Sequence, residues 1–259
     1  QSVMQWYGEH DIPVELNEPH HWGMRDAPDV VFVVSAFLSA YNAQAFGVKD
    51  YIAQMMFNSP PGLSDAMDLA KMLAVLEMIE PLAGPNFRIW RQTRTGLLSY
   101  PLDPSAARAH LAASVYLQMA LNPHIVHVVS FTEADHAATA EDVIESCRMA
   151  RKAIENALGG QPDMKADQAI LKRKSYLIQQ AGITLQAINN LGNPNGGDAL
   201  IDPQILANAV KSGILDAPQL AGNSFAQGKI RTGWRDGGWD AILPDGSHLP
   251  EDTRLIQWL

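Results

Sequence analysis

Residues 125–154 read IVHVVSFTEADHAATAEDVIESCRMARKAI, a short apolar run followed by a polar loop and a long amphipathic segment rich in alanine. The same order occurs three more times, and the four apolar runs begin about 37 residues apart. A strand followed by a helix, repeated at this spacing, is typical of βα units in a parallel sheet. The repeat therefore predicts four strands, at residues 12–16, 51–57, 87–91 and 125–129.

Four βα units correspond to half of an eight-stranded parallel barrel. The sequence thus predicts an α/β fold of the parallel (β/α) TIM-barrel type, with half a barrel in residues 1–160, one long accessory helix in 161–192 and a C-terminal extension of helices and a small β tail in 193–259. In the extension, residues 193–197 (NPNGG) predict a link, and residues 229–232 and 241–243 a hairpin. A half barrel has two unpaired edges, so we expect the chain to function joined to another polypeptide.

Composition restricts the class of protein. The 259 residues carry a net charge of -9, spread along the chain without acidic blocks, which favours solubility and works against nucleic acid or anionic membrane as a partner. The single cysteine, Cys147, lies in a helical pattern and is expected to be an inert core thiol in a reducing compartment. No long apolar segment or signal peptide is evident, so a cytoplasmic location is expected, and Gln1 at the start fits a cut, split or truncated chain.

Ligand sites of parallel barrels are built from the loops at the carboxyl ends of the strands, where side chains converge over the barrel axis. This rule selects four groups of polar residues, one for each predicted strand. In chain order the groups are Glu15, Asn17, Glu18, His20, His21 and Arg25; Gln54 and Asn58; Arg91, Gln92, Arg94 and Tyr100; and Ser130, Thr132, Glu133, Asp135 and His136.

The third group contains two arginines near a strand end: Arg91 is the last residue of the predicted strand, and Arg94 lies in the loop predicted over residues 92–101. Planar guanidinium groups suit a substrate carboxylate or phosphate, because they can form paired hydrogen bonds. Arg94 is the stronger candidate, since alternation along the strand can turn one of the two arginines outward. Ordinary ion pairing with a carboxylate of a neighbouring loop is the alternative.

The fourth group combines carboxylates with an imidazole, which suits polar recognition of a ligand or proton transfer. Glu133 is the main candidate here. The alternative for Glu133 and Asp135 is a stabilising carboxylate at the N-terminus of the next helix. His127 lies within the predicted strand and is expected to be a hydrogen-bonded core residue.

The neighbouring histidines His20 and His21, with Glu15 or Glu18 as a third ligand, could suggest a metal site. Adjacent side chains tend to point in different directions, and no His-x-x-x-His or cysteine pair accompanies them, so no metal is predicted. The sequence also lacks a phosphate-binding loop of the Gly-x-x-x-x-Gly-Lys type and a dinucleotide fingerprint after a strand.

Residues 126–139, with HVVSFTEADH in their middle, resemble the seventh or eighth strand and loop of the large-subunit barrels in cobalamin-dependent mutases. These are the glutamate (methylaspartate) mutase epsilon chain and the large chains of ornithine and lysine aminomutase. The resemblance continues through residues 170–192, which end in INNLG, and through residues 210–229, which begin VKSGILDAP. It covers most of the chain, as the C-terminal half of such a subunit.

The resemblance implies a barrel component of an adenosylcobalamin-dependent isomerase, a mutase or aminomutase that rearranges a small amino or carboxylic acid through radicals. Glu133 matches the loop glutamate near the adenosyl ribose in the family. The cofactor-binding residues expected are Glu133, Ser130, Thr132, His136 and Asn58; the substrate-binding residues expected are Arg94, Arg91, Gln92 and Asn17; and the catalytic residues expected are Glu133 and Arg94.

This chain departs from the family pattern at two points. Val129 stands where glutamate mutase has a lysine, which puts that reaction itself in question. The Asp-x-His-x-x-Gly cobalamin motif is absent, so a second polypeptide is expected to carry the cobalamin-binding domain together with the other barrel half. Pyridoxal phosphate stays open as a further cofactor.

Two alternatives remain. The chain could be a non-catalytic assembly subunit that completes a barrel and binds a cobalamin-carrying protein, which Val129 favours slightly. It could also be a barrel enzyme of unrelated chemistry, such as an aldolase or methyltransferase. The last alternative is weaker, because no lysine suited to a Schiff base stands at a strand end and Lys49 precedes its strand.

Overall fold

The main sheet contains four parallel strands flanked by helices. A computed structural model of the protein describes residues 1–192 and 196–259. The strands are β1 Val14–Leu16, β2 Asp50–Phe57, β3 Arg88–Thr95 and β4 Ile125–His127. Their order in the sheet is β1-β2-β3-β4, the order of the sequence, and each neighbouring pair is parallel. The predicted mixed α/β fold with four parallel strands is confirmed.

The third strand is longer than predicted. It pairs with β2 in register as far as Phe57 and Thr95, four residues beyond the expected end at residue 91. Gln92 and Arg94 therefore lie in the sheet, and their assignment to a loop was wrong. The prediction ended the strand too early because a strand with one polar face does not form a continuous apolar run. The fourth strand conversely ends two residues early, at His127.

Helices connect the strands and form the C-terminal part of the chain. Within the described residues they are α1 Ser2–Glu9, α2 Glu18–Gly23, α3 Asp29–Ala45, α4 Asp65–Ile79, α5 Pro104–Gln118, α6 Ala140–Leu158, α7 Gln168–Asn190, α8 Pro203–Lys211 and α9 Glu251–Arg254. Ser64, Asp103 and Thr139 each precede a helical pattern in the sequence, which predicts helix starts there. All three starts are confirmed, for α4, α5 and α6 in that order, because these side chains accept backbone N–H groups of the first turn.

The two faces of the sheet differ in polarity. The face of Tyr51, Met55 and Phe57 is buried in the main apolar core together with residues of α3 and α4. The opposite face carries Gln54, Gln92 and Arg94, and it exposes Trp90, Ile125 and His127 at its margins. Parallel strands in sequence order with right-handed connections carry their helices on a single face, which accounts for the difference.

The C-terminal segment packs on the helical side. Helix α7 contacts α3 and α4, and it is preceded by a separate 3-10 turn at Met164–Ala166. A hairpin is present, but its strands are β5 Thr232–Arg235 and β6 Gly238–Ala241, so the predicted strands were wrong. The prediction missed Asp236-Gly237, whose positive φ angles of 51° and 83° form the tight hairpin turn. The link predicted at residues 193–197 lies partly outside the described residues.

Cys147 is exposed, so its assignment to the core was wrong. Its helix, α6, turns an apolar stripe toward α5, and Cys147 lies outside that stripe. Among the described helices, none combines the length and apolar content needed to cross a membrane.

A buried ion network joins the C-terminal segment to the helices of the sheet. Lys71 of α4 lies 3.4 Å from Asp29 and 3.2 Å from Asp68, and its Nζ donates to the Ser59 carbonyl at 2.6 Å. Arg173 of α7 bridges Asp29 and Asp240, each at 2.8 Å. Although burial opposes it, the neighbouring arginines hold the pKa of Asp240 below its usual value. The network thus fixes α7 and the hairpin to the first turns of α3 and α4.

Replacing Arg173 with methionine should destabilise the fold strongly. The change leaves the carboxylates of Asp29 and Asp240 buried with one partner fewer, and breaking a buried ion pair costs about 3–5 kcal/mol. The free energy of unfolding can be measured by urea denaturation followed by circular dichroism. Lys174→Met is the matched control, because its partner Glu77 is exposed and such pairs contribute about 1 kcal/mol or less. Equal losses in the two variants would contradict a network that couples the segments.

Candidate functional site

Polar side chains from three neighbouring strands form a connected group on the polar face. Glu15 of β1 accepts hydrogen bonds from Gln54 Nε2 of β2 and, at 2.8 Å, from Gln92 Nε2 of β3. These bonds fix the carboxylate across the strands. Gln54 Oε1 is buried and has no hydrogen-bond partner among the described residues. The group therefore keeps one unused acceptor in addition to the carboxylate.

Arg94 lies beside this group, in line across the sheet with Met56 of β2 and His127 of β4. Its Nε is buried without a hydrogen-bond partner in the described chain, and no carboxylate described there forms an ion pair with the guanidinium. Burial lowers the pKa of Arg94, against the attraction of Glu15 and Glu133. An arginine nevertheless stays charged at neutral pH, so Arg94 presents unused donors for an anion.

Tyr100 and Glu133 border Arg94 on the carboxyl side of the sheet. Tyr100 donates its hydroxyl to the Val129 carbonyl at 3.3 Å, and burial raises the pKa of Tyr100 to about 12. The phenol is therefore neutral at ordinary pH. Glu133 is exposed, and its carboxylate acts electrostatically on both Arg94 and Tyr100. The structure thus brings Gln92, Arg94 and Glu133 into one region.

The other polar residues of the fourth group bind one another. Ser130 and Thr132 are buried, and their hydroxyls lie 2.9 Å apart. Ser146 Oγ lies 3.3 Å from Ser130 Oγ. His136 is exposed and contacts the carboxylates of Asp135 at 2.8 Å and Asp142 at 3.4 Å. These contacts shape the loop and the start of α6.

Three further predicted residues lie outside the group around Arg94. Arg91 points to the opposite face, where its Nε and Nη2 donate to the Asn122 carbonyl at 3.0 and 2.9 Å. Asn58 is buried and accepts a hydrogen bond from Ser114 Oγ at 2.7 Å. Asn17 is exposed at the start of α2 and lines a separate cavity.

The histidines near the site differ in environment. His20 is buried, and its Nε2 lies 2.9 Å from the Gln54 carbonyl, so Nε2 carries the proton. Burial lowers the pKa of His20 to about 3. His127 is exposed on the polar face, so the core position expected for it was wrong; it stands at the sheet margin, where β4 is an edge strand. Burial of part of its ring and the charge of Arg94 lower the pKa of His127. Within the described residues, no three potential ligands converge on a metal position.

Comparisons with known proteins add no family to this geometry. No protein-family model matches the chain, and the search of curated proteins returns no match. The site is therefore interpreted from its own side chains.

Sequence analysis identified Glu15, Gln54 and Gln92 separately and missed that they are bonded to one another. The signal was available in the spacing, because Gln54 and Met56, like Gln92 and Arg94, are two residues apart and so share a face of a strand. The missing information was the register between strands, which pairs Gln54 with Gln92 and Glu15 with Ile52. Register depends on packing that a single strand does not encode.

His20→Gln should flatten the dependence of stability on pH. Between about pH 6.5 and pH 3 the unfolded chain binds a proton at His20 and the folded chain does not, so the free energy of unfolding falls by about 1.4 kcal/mol per pH unit on acidification. Above pH 6.5 this contribution is constant. Urea denaturation at pH 7, 6 and 5 measures the slope for the wild type and the variant, which share all other titrating groups.

His136→Gln is the control for this experiment. His136 is exposed, and the hydrogen bond with Asp135 raises its pKa, so its contribution has the opposite sign and its loss does not flatten the slope. A His20→Gln variant with the wild-type slope would show that His20 takes up a proton in the folded protein.

Proposed function

We propose that this chain supplies four βα units of a parallel (β/α) barrel and that another polypeptide supplies the remaining units. Two features support this proposal. The strands follow one another in sequence order, as they do in a barrel, and the sheet ends in two short edge strands, β1 and β4, of three residues each. In the completed barrel, strands of the partner would pair with β1 and β4 and remove both open edges. The polar face would then line the interior of the site.

The substrate proposed for this site is a small amino or carboxylic acid whose carboxylate binds Arg94. The supporting observation is the guanidinium of Arg94, which has a buried Nε without a partner and forms no ion pair within the described chain. A buried donor without a partner destabilises the protein, and a carboxylate would satisfy it through charge-assisted hydrogen bonds. Gln92 adds an amide on the same strand face, where a second charge would be costly.

The reaction class proposed is the radical isomerisation catalysed by adenosylcobalamin-dependent mutases and aminomutases, on the basis of the sequence resemblance around Glu133. When bound, this cofactor supplies a carbon-centred radical by homolysis of its cobalt–carbon bond. The residues present fit it in part. The exposed carboxylate of Glu133 has no hydrogen-bond partner among the described side chains and suits ribose hydroxyl groups.

The other residues expected to bind the cofactor have less capacity to do so. Ser130 and Thr132 bond to each other, His136 lies between two carboxylates, and Asn58 accepts from Ser114. Glu133 therefore carries the cofactor proposal for this chain. In the same scheme Tyr100, neutral at ordinary pH, contributes a hydroxyl to the wall of the site and limits the access of water.

A non-catalytic assembly subunit is the second candidate function. The observation that favours it is Val129, a buried apolar residue at the position where glutamate mutase has a lysine. In this case the polar face would complete the barrel of a cobalamin-carrying partner without contacting substrate. The chain would bind its partner, and neither Arg94 nor Glu133 would affect turnover.

Arg94→Met should weaken substrate binding by roughly 10- to 100-fold, because a hydrogen bond to a charged group contributes about 1.5–3 kcal/mol. The chain would be isolated together with its natural partners, and binding of L-glutamate and L-ornithine as probe carboxylates would be measured by calorimetry. Arg151→Met, which removes an exposed arginine of α6, is the matched control. Wild-type affinity in the Arg94 variant, with the complex intact, would refute the anchor.

Glu133→Gln should lower the affinity of the isolated complex for adenosylcobalamin, measured by its visible absorption, by about tenfold, because the neutral amide makes weaker hydrogen bonds with ribose hydroxyls. Glu141→Gln removes a nearby exposed carboxylate of α6 and serves as control. Unchanged affinity and unchanged activity in both the Glu133 and Arg94 variants, with the complex preserved, would support the assembly subunit. A complex that shows no cobalamin absorption would refute both the isomerase and the assembly-subunit proposals.

A further inference from the structure

A cavity of about 500 Å³ lies between α1, α3 and α8, beside the end of β1. Its volume falls within the range of small-molecule sites in proteins. Most of its wall is aliphatic, from Met4, Leu16, Leu38, Leu206, Val210 and Leu215. The exposed residues Asn17, Glu18 and His21 also line it, so the cavity opens to solvent on their side.

This cavity is distinct from the site around Arg94. Glu15 points to the polar face of the sheet, where Gln54 and Gln92 bind its carboxylate. Leu16, the next residue of β1, points to the helical face and packs against the main apolar core. The cavity and the polar face therefore lie on opposite sides of the same strand.

Ser35 and Ser39 of α3 both line the cavity, and Ser35 has the hydroxyl that is buried without a partner. The residue Ser35 is only 2% exposed, and its hydroxyl has no hydrogen-bond partner among the described residues. The nearby amide of Asn42 already has partners: it donates both hydrogens, to the carbonyls of Leu38 and Leu200, and its oxygen accepts from Gln1. A buried hydroxyl without a partner costs free energy that a ligand group could recover.

We propose that this cavity binds a small aliphatic molecule with one hydroxyl or carbonyl group at one end. The polar end bonds to Ser35 Oγ, and the hydrocarbon part packs against the aliphatic wall. A second polar group set against the aliphatic wall is disfavoured, because it would lose its water there without gaining a hydrogen bond.

The test uses 1-hexanol and 1,6-hexanediol as matched probes. Trp22 lines the cavity and donates its indole N–H to Glu18, so its indole NMR signal, assigned with Trp22→Phe, reports on occupancy. We expect saturable shifts with 1-hexanol and at least threefold weaker binding of the diol. No saturable shift, or equal affinity for the two probes, would overturn the proposal.

Two variants locate the ligand. Ser35→Ala removes the hydroxyl without filling the cavity and should weaken 1-hexanol binding by roughly three- to tenfold, whereas Ser175→Ala on the exposed side of α7 should not change it. Leu206→Phe, on the partly buried face of α8, should fill the cavity and abolish the shifts. The test with Ser35→Ala remains valid even if Leu206→Phe fails to fold. Wild-type affinity for 1-hexanol in Ser35→Ala would overturn the role of the hydroxyl.

Discussion

The order of the strands constrains the rest of this structure. Parallel strands that follow one another in sequence need long crossover connections, and connections of one hand place their helices on one face of the sheet. These helices cover the face of Tyr51, Met55 and Phe57, which is apolar. The opposite face receives no crossover helix from β1 to β4: Gln54 and Gln92 at its centre are still buried, whereas Trp90, Ile125 and His127 at its margins are exposed.

The polar face is organised by hydrogen bonds between strands. Glu15 is held by two glutamine amides, which orient its carboxylate without neutralising it. The carboxylates of Glu15 and Glu133 act electrostatically on Arg94, but neither forms an ion pair with it. A protein that needed only stability would pair these charges directly, because an unused buried donor lowers stability. Oriented but unpaired groups are typical of sites where a ligand completes the bonding, and such sites are less stable than the rest of the protein.

The sequence predicted the features that depend on local chemistry. The helix starts at Ser64, Asp103 and Thr139 were correct, because a capping side chain bonds to backbone only two or three residues away. Features that depend on distant pairing were less predictable. The extension of β3 to Thr95 is fixed by its pairing with β2, and the exposure of His127 depends on the edge position of β4. The parallel sheet was thus predictable from periodicity, whereas the grouping of Glu15, Gln54, Gln92 and Arg94 required the register.

The buried ion network bears on how the site keeps its shape. Three buried carboxylates, Asp29, Asp68 and Asp240, face two buried cations, Lys71 and Arg173, and the partly exposed Arg235, so the charges of the network balance. Burial, which is only partly offset by Lys71, raises the pKa of Asp68, and the same carboxylate accepts the backbone N–H of Asn58 at the carboxyl end of β2. Apolar side chains of similar size could stabilise this region equally well, but they would not fix one relative position of the segments. A charge network admits few arrangements that pair every group. The network therefore couples the C-terminal hairpin, through α7, α3 and α4, to the loop that begins at Asn58. This loop lies at the carboxyl end of the sheet, as do the last residues of β3 with Arg94 and the loop with Glu133.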